Sequence, residues 1–226
     1  MCTVSRLFTV IRLPSHFVMF IMMLAPCARA GDLRATVHDA RGAALADAVV
    51  VAVAEGASAE TPRSRVEQVE QIDLEFVPHV KAIQAGTAVS FPNRDGVRHH
   101  VYSFSPAKRF ELPLYVGTPA QPVVFDHPGI VTIGCNIHDW MVGYIYVSPS
   151  PHFATTGADG SARIAGLPAG RYTVRIWHPR LTSQEHETER RLELGATGRA
   201  ELAWVVVLKP ETRVRRAPAP GRAGRY

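Results

Sequence analysis

The amino-acid sequence predicts an all-β protein of the sandwich type. Short segments rich in β-branched and aromatic residues alternate with turns along most of the 226 residues. The 17 Gly and 17 Pro residues are scattered without a period, which indicates many turns, and long apolar helical stretches are missing after residue 30. Strands this short, separated this densely by turns, are typical of sandwiches and barrels.

The first thirty residues have the pattern of a secretory signal. Arg6 and Arg12 precede an apolar run at 17–24, and a small-x-small cleavage site follows at 28–30. The run is shorter than the ~20 residues that a membrane-spanning helix needs, which favours cleavage over anchoring. We therefore expect an exported protein, located in the periplasm or elsewhere outside the cytoplasm.

Cleavage after residue 30 would leave Cys135 as the single cysteine, because Cys2 and Cys27 fall in the removed segment. An exported protein with one cysteine cannot form an internal disulfide. A lone thiol in an oxidising compartment is a liability unless something protects it. Metal ligation is one such protection.

The net charge of +5 is concentrated at the two ends of the chain. Residues 31–208 carry 16 basic and 19 acidic side chains, so the folded part is mildly acidic and does not favour nucleic-acid binding. Residues 209–226 hold six basic residues, one acidic residue and no core-forming pattern, which predicts a disordered basic tail. Such a tail either makes weak contact with an anionic membrane surface or an acidic cytochrome, or is solvated and without a function of its own.

Three groups of strands are predicted along the chain. Residues 31–55 hold two strands, at 33–39 and 47–53, and residues 55–70 are predicted as a polar loop. Residues 71–148 hold the next group, at 72–76, 87–91, 101–104, 123–125, 130–133 and 143–147. Residues 152–208 hold the last group, at 162–165, 172–177, 192–194 and 200–208.

The residues that carry chemistry fall mainly in one short loop. Cys135, His138 and Met141 have the spacing C-x2-H-x2-M between two predicted strands, and the pair His99 and His100 lies at the start of another strand. Two His and one Cys with a weak axial Met form the ligand set of blue-copper electron-transfer sites. Zinc also accepts one Cys and two His, but a thioether is a poor zinc ligand, so the set favours copper.

Each of these side chains alone has an ordinary explanation. Cys135 would be an inert buried thiol, His138 a surface residue and Met141 a filler of the core. The combination, with no second cysteine in the mature chain, predicts a metal site. Trp140 is either a core aromatic or part of an apolar patch where a redox partner docks.

Residues 71–148 resemble the cupredoxin family. Residues 86–93 match the pattern G-x-x-V-x-F-x-N, the segment 99–101 stands at the H-N-V ligand motif, and the Cys-to-Met loop has the short spacing of amicyanin. The resemblance implies a cupredoxin Greek-key sandwich with one type 1 copper ion. The ligands that it implies are His99, Cys135, His138 and Met141, and the partner that it implies is a redox protein such as a c-type cytochrome or a dehydrogenase.

One position departs from the family pattern. His100 stands where cupredoxins commonly have the Asn that ties two ligand loops together, so another residue, for which Asn136 is the candidate, has to take that role. A backbone N–H from His100 to the sulfur of Cys135 survives this exchange. Neighbouring strand residues point to opposite faces, so only one of His99 and His100 points inward, and the motif selects His99.

The two flanking groups of strands, 31–55 and 152–208, together resemble the carboxypeptidase regulatory-like β-sandwich. The turns at 157–160 and 166–170 and the strand that follows carry this resemblance. It implies that the copper module is inserted into, or flanked by, one small non-catalytic sandwich. The chain as a whole is similar to bacterial proteins described as methylamine-utilisation or plastocyanin-like.

Electron transfer without catalysis is the leading functional prediction. Four protein ligands would fill the coordination of the copper, and the sequence lacks the second His-rich site that a copper oxidase or nitrite reductase needs. The alternatives are a periplasmic copper-handling protein, which would favour exposed and flexible ligand loops, and a non-catalytic structural module.

Overall fold

A computed structural model describes residues 31–56, 65–195 and 198–211, and within these ranges the protein is all-β, as predicted. The strands of this described part are β1 Gly31–Asp39, β2 Val49–Ala54, β3 Val66–Gln68, β4 Glu70–Ile72, β5 Glu75–Val77, β6 Val80–Gln84, β7 Thr87–Ser90, β8 His99–Ser105, β9 Lys108–Tyr115, β10 Val123–Phe125, β11 Gly129–Gly134, β12 Val142–Ser148, β13 Phe153–Thr155, β14 Ser161–Leu167, β15 Gly170–Trp177, β16 Arg190–Leu194 and β17 Arg199–Val206. A 3-10 turn covers Glu185–Thr188. None of the described segments is a helix of the length and apolarity that crossing a membrane requires. The predicted signal at 1–30 lies outside the described residues.

The first two and the last five strands form an outer sandwich. One sheet has the order β14-β1-β17 and the other the order β13-β2-β15-β16. In β1 the side chains of Leu33, Ala35 and Val37 alternate into the core, as a half-buried strand requires. They pack against the opposite sheet through residues such as Val174 and Ile176. Strands that precede residue 56 and strands that follow residue 152 therefore share one core. The limits of the predicted domains stay a prediction.

The strands between them form an inner sandwich. A five-stranded sheet, β6-β12-β11-β8-β9, packs against the three-stranded sheet β10-β7-β3, with the hairpin β4-β5 at their side. Phe91 and Phe125, both buried, lie in contact with each other in the centre of this core. Cys135 and Met141 belong to the same buried cluster, so the candidate metal loop closes one end of the inner sandwich.

The two sandwiches pack directly against each other. Strand β2 is buried on both faces: Val50 lies in the outer core, whereas Val49 and Val51 contact a third cluster that includes Tyr146 of β12 and Trp177 of β15. At the rim of this cluster the hydroxyl of Tyr146 donates a hydrogen bond to Glu185, which also pairs with Arg175. The apolar face of β12 and β6 is thereby covered by the outer sandwich.

Several elements differ from those predicted. The alternating run 72–76 is not one strand, because a turn at Asp73 and Leu74 divides it into β4 and β5. The predicted loop 55–70 contains β3 and the start of β4, and the strands β6 and β9 have no counterpart in the prediction. Two residues of the predicted tail, Lys209 and Glu211, contact Arg180, and the rest of this tail, 212–226, lies outside the described residues.

A buried histidine next to the packed cluster gives the fold a pH dependence. Burial, together with the charge of Arg180, lowers the pKa of His178 to about 4, and its Nδ1 accepts the N–H of Arg180 at 3.2 Å. An unfolded His titrates near 6.5, so between these two values the unfolded chain binds a proton that the native protein does not. The part of the unfolding free energy that depends on neutral His178 is therefore fully present above pH 6.5, and it is lost as the pH falls towards 4.

We expect His178 to remove about 2 kcal/mol of unfolding free energy between pH 7 and pH 5. Denaturant titrations at the two pH values measure the difference. The variant His178→Gln should lose this part of the pH dependence, whereas His127→Gln, at an exposed position, should keep it. Equal pH dependence in the wild type and in His178→Gln would contradict the assignment.

Candidate metal centre

The sheet brings the two candidate ligand segments together. Strand β11 ends at Gly134, immediately before Cys135, and β8 begins at His99. The two strands are neighbours, with Tyr102 opposite Gly134, so the start of β8 lies beside the end of β11. The loop that follows β11 is tightened by two backbone hydrogen bonds, from Cys135 N–H to Met141 O at 3.2 Å and from Met141 N–H to His138 O at 2.8 Å.

Three donor atoms converge at this point. The Nδ1 atoms of His99 and His138 are 3.2 Å apart, and the Sγ of Cys135 lies 3.6 Å from Nδ1 of His138 and 4.0 Å from Nδ1 of His99. A point about 2.1 Å from all three atoms exists within this triangle, close to the usual metal–nitrogen distance of ~2.0–2.1 Å and slightly short of the ~2.3 Å of a metal–sulfur bond. The residues therefore fit one metal ion in a trigonal set.

The three donors differ in their access to solvent. His99 is 0% exposed and Cys135 is 3% exposed, whereas His138 is half-buried. The ring of His138 packs against Trp140, also half-buried, with ring centroids 5.4 Å apart. The edge of the site that faces solvent thus consists of one imidazole and one indole.

Met141 lies at the inner side of the loop. It is 1% exposed and belongs to the same apolar cluster as Cys135. Its backbone is hydrogen-bonded to the backbones of Cys135 and His138. The structure thus places the thioether in the core at this end of the sandwich. Its role as a fourth ligand stays a prediction.

The surroundings of Cys135 favour the thiolate. Burial by itself raises the pKa of this thiol, but hydrogen bonds from His99, from the backbone N–H groups of His100 and Ile137, and from His138 outweigh burial and lower the pKa to about 6. The expected contact between the His100 N–H and the sulfur is thus present. Because the thiolate is the form that binds metals, this environment prepares the site for metal binding near neutral pH.

His99 is held by a carboxylate that the sequence analysis did not identify. Its Nε2 lies 2.7 Å from Oδ2 of Asp95, and both side chains are buried. Burial lowers the pKa of His99, but the hydrogen bonds with Cys135 and Asp95 outweigh it, and the pKa is raised overall. A carboxylate four residues before a candidate ligand is the signal in the sequence that points to this contact.

A buried asparagine, Asn93, holds the segment before His99, whereas the role expected of Asn136 between the two ligand loops stays a prediction. Asn136 is exposed, whereas Asn93 is buried and its Nδ2 donates to Val97 O at 2.8 Å and to Tyr115 O at 2.9 Å. The Oδ1 of Asn93 accepts the backbone N–H of Asp95 at 2.9 Å. Asn93 therefore ties together the segment that leads to His99.

His100 points away from the three donors. Its Nε2 lies 2.9 Å from Oε1 of Glu111, and its ring packs against Tyr102 with centroids 5.4 Å apart. The Cys135 sulfur lies near His99 and not near this ring. The structure thus places His99 on the inner face of β8 and His100 on the outer face.

Solved structures similar to part of this chain include a cupredoxin, a copper-containing nitrite reductase and an amicyanin. A purple cupredoxin from Nitrosopumilus maritimus is 26% identical, with a TM-score of 0.33, over 36% of this chain and 99% of its own. A copper-containing nitrite reductase from Thermus scotoductus SA-01 is 29% identical, with a TM-score of 0.35, over 42% of this chain and 25% of its own. An oxidised amicyanin variant is 18% identical, with a TM-score of 0.34, over 36% of this chain and 81% of its own.

No protein-family model and no curated protein sequence matches the chain. TM-scores as low as those of the three structures do not establish a family. A proposal about function therefore depends on the chemistry of the three converging donors, His99, Cys135 and His138.

Proposed function

We propose that this is an exported type 1 copper protein that carries single electrons. One copper ion would be held by His99, Cys135 and His138, with the thioether of Met141 as a fourth and weaker ligand. The observation that carries the proposal is the triangle of two imidazole nitrogens and one sulfur, with sides of 3.2, 3.6 and 4.0 Å, at the end of a β-sandwich.

The chemistry of the donors supports copper. A thiolate favours Cu(I), and two imidazoles accept both oxidation states, so the set suits an ion that alternates between Cu(I) and Cu(II). Structural zinc sites usually have four strong donors in a tetrahedron. Here the remaining donor of the loop is the thioether of Met141, which is soft and weak and suits copper better.

The positions of the donors support electron transfer rather than copper delivery or catalysis. His99 and Cys135 are buried and lie at the ends of paired strands, so we expect the protein to hold them in nearly the same place in both oxidation states of the ion. A delivery site would favour exposed ligands that release the ion easily. With Met141, four donors would complete the coordination, which leaves no position for a substrate.

His138 is the donor that solvent and a partner can reach. Its half-buried ring and the adjacent ring of Trp140 form the outer edge of the site. When bound, copper supplies a one-electron redox couple. The chain's own residues orient the donors and exclude water, and the partner, a redox protein such as a c-type cytochrome or a dehydrogenase, would dock at His138 and Trp140.

Addition of Cu(II) to the purified chain that begins at residue 31 tests the proposal. We expect an intense visible absorption band from thiolate-to-copper charge transfer, saturating at one ion per chain, and no band with Zn(II). The variant Met141→Leu should bind copper with a band of altered position or intensity. A wild-type protein that stays colourless with Cu(II) would refute the type 1 site.

A second measurement separates a carrier from a copper-handling protein. A carrier should be reduced and reoxidised repeatedly without loss of the ion, and it should exchange electrons with a c-type cytochrome at a rate that depends on salt concentration. Release of the ion to a Cu(I) chelator on each reduction would favour copper handling instead.

A further inference from the structure

One buried carboxylate joins a candidate metal ligand to a distant turn. The Oδ2 atom of Asp95 lies 2.7 Å from Nε2 of His99 and also accepts the backbone N–H of Leu74 at 3.0 Å. The Oδ1 atom accepts the backbone N–H of Asp73 at 2.8 Å. The side chain of Asp95 is 5% exposed, so these three contacts replace water as its hydrogen-bonding partners.

The turn that contacts Asp95 has an unusual backbone. Asp73 has φ of 54° and Leu74 has φ of 61°, and both lie in the left-handed region that non-glycine residues rarely adopt. Positive φ at both positions suits the two-residue turn that joins β4 and β5, in which Ile72 lies opposite Glu75. In this conformation the two successive N–H groups point at one carboxylate, so Asp95 holds the turn between β4 and β5 through both of its oxygens.

The carboxylate is fixed from its own backbone as well. The N–H of Asp95 donates to Oδ1 of Asn93 at 2.9 Å, and Asn93 is anchored to the carbonyls of Val97 and Tyr115. These contacts hold Asp95 independently of the imidazole. The imidazole of His99 therefore has to adopt the orientation that the carboxylate sets.

We propose that Asp95 is the positioning residue of the metal centre. It keeps the proton of the neutral His99 ring on Nε2 and leaves the lone pair of Nδ1 directed at Cys135 and His138. Its charge also makes the imidazole a stronger donor and stabilises the oxidised form of the ion. This inference rests on the proposed function, since it concerns the same site.

The copper-free wild type tests the tautomer directly. Nitrogen NMR of the histidine rings at alkaline pH should show the proton of His99 on Nε2. A proton on Nδ1 would overturn the proposal without any variant. This measurement needs no metal, so it tests the role of Asp95 even in a protein that does not bind copper. Failure to bind copper would refute the proposed function and would leave the tautomer of His99 to be measured separately.

The variant Asp95→Asn tests the effect on the metal. We expect copper affinity, measured by competition with a chelator, to fall about 10–100-fold and the reduction potential to rise, because a negative charge next to the ligand is lost. The visible band should remain, since Cys135 is unchanged. Affinity and potential equal to those of the wild type would overturn the proposal.

The variant Asp139→Asn is a control that separates the effect of the contact with His99 from the effect of a negative charge near the site. Asp139 lies on the same loop as His138 and is exposed, so Asp139→Asn removes one carboxylate close to the site without removing a contact to His99. It should change copper affinity less than twofold. If Asp139→Asn has the same effect as Asp95→Asn, net charge is the cause and the positioning role is wrong. The variant Asp95→Glu, which keeps the charge, should raise the reduction potential less than Asp95→Asn does.

Discussion

Replacement of Cys135 by Ser should abolish the visible absorption of the copper-loaded protein and weaken copper binding by roughly a thousandfold or more. The band arises from charge transfer between thiolate and metal, and a serine hydroxyl stays protonated at neutral pH and binds copper weakly. Ser is nearly the size of Cys, so the buried loop should keep its fold. Absorption spectra and chelator competition measure the two effects.

The variant Met141→Leu is the matched control for this experiment. It changes another buried sulfur of the same loop but leaves the thiolate in place. We expect it to keep an intense band, whereas Cys135→Ser keeps none. An intense band in Cys135→Ser would mean that the sulfur is not the donor responsible, and the proposed site would be wrong.

The two histidines should respond differently to truncation. His99→Gly and His138→Gly each remove one of the three converging donors, so both should lose most of their copper affinity and the wild-type spectrum. Free imidazole at millimolar concentration should restore the band in His138→Gly, because the half-buried position of this ring opens to solvent. It should not restore the band in His99→Gly, because His99 is 0% exposed and enclosed by the protein.

The comparison of these two variants also tests which histidine faces the partner. Electron exchange with a c-type cytochrome should be slower in the imidazole-restored His138→Gly than in the wild type, since the ring at the docking edge is no longer attached to the chain. Restoration of both variants by imidazole, or of neither, would contradict the difference in exposure that the structure shows.

The local part of the site was predictable from the sequence. Cys135, His138 and Met141 lie within seven residues between two strands, so their spacing alone places them on one loop. The His pair at 99 and 100 was predictable because alternation along a strand allows one inward ring. The choice of partner strand follows from the register of Tyr102 with Gly134, which local sequence does not encode.

The supporting contacts were not predictable in the same way. The run 72–76 alternates like a strand, but the chain turns at Asp73 and Leu74, where the hairpin pairing of β4 with β5 and the distant carboxylate of Asp95 both hold the turn. Asn93 was recognised as part of a motif, but its two donated hydrogen bonds depend on the position of Tyr115 in a later strand. Tertiary contacts of this kind override local propensity.

Two strands, β6 and β9, were not predicted from the sequence, and each omission has a physical reason. Strand β9 alternates between exposed and partly buried residues, but Pro113 within the run argues against a central strand. The structure places β9 at the edge of the five-stranded sheet, where a proline is tolerated. Strand β6 pairs in parallel with β12, and such pairing joins segments that are far apart in the chain.

Strand β1 has its neighbours in the sheet, β14 and β17, from later in the chain than the whole inner sandwich. Residues 66–148, which form the inner sandwich, therefore separate β1 from both partners. Closing so long a loop has an entropic cost, and contacts between distant segments slow folding. In the folded protein β2 lies next to β13, with a 2.8 Å hydrogen bond from Ala52 N–H to His152 O, so strands that precede and follow the inner sandwich are held side by side. We expect the inner sandwich to form first and to shorten the distance over which β1 has to find its partners.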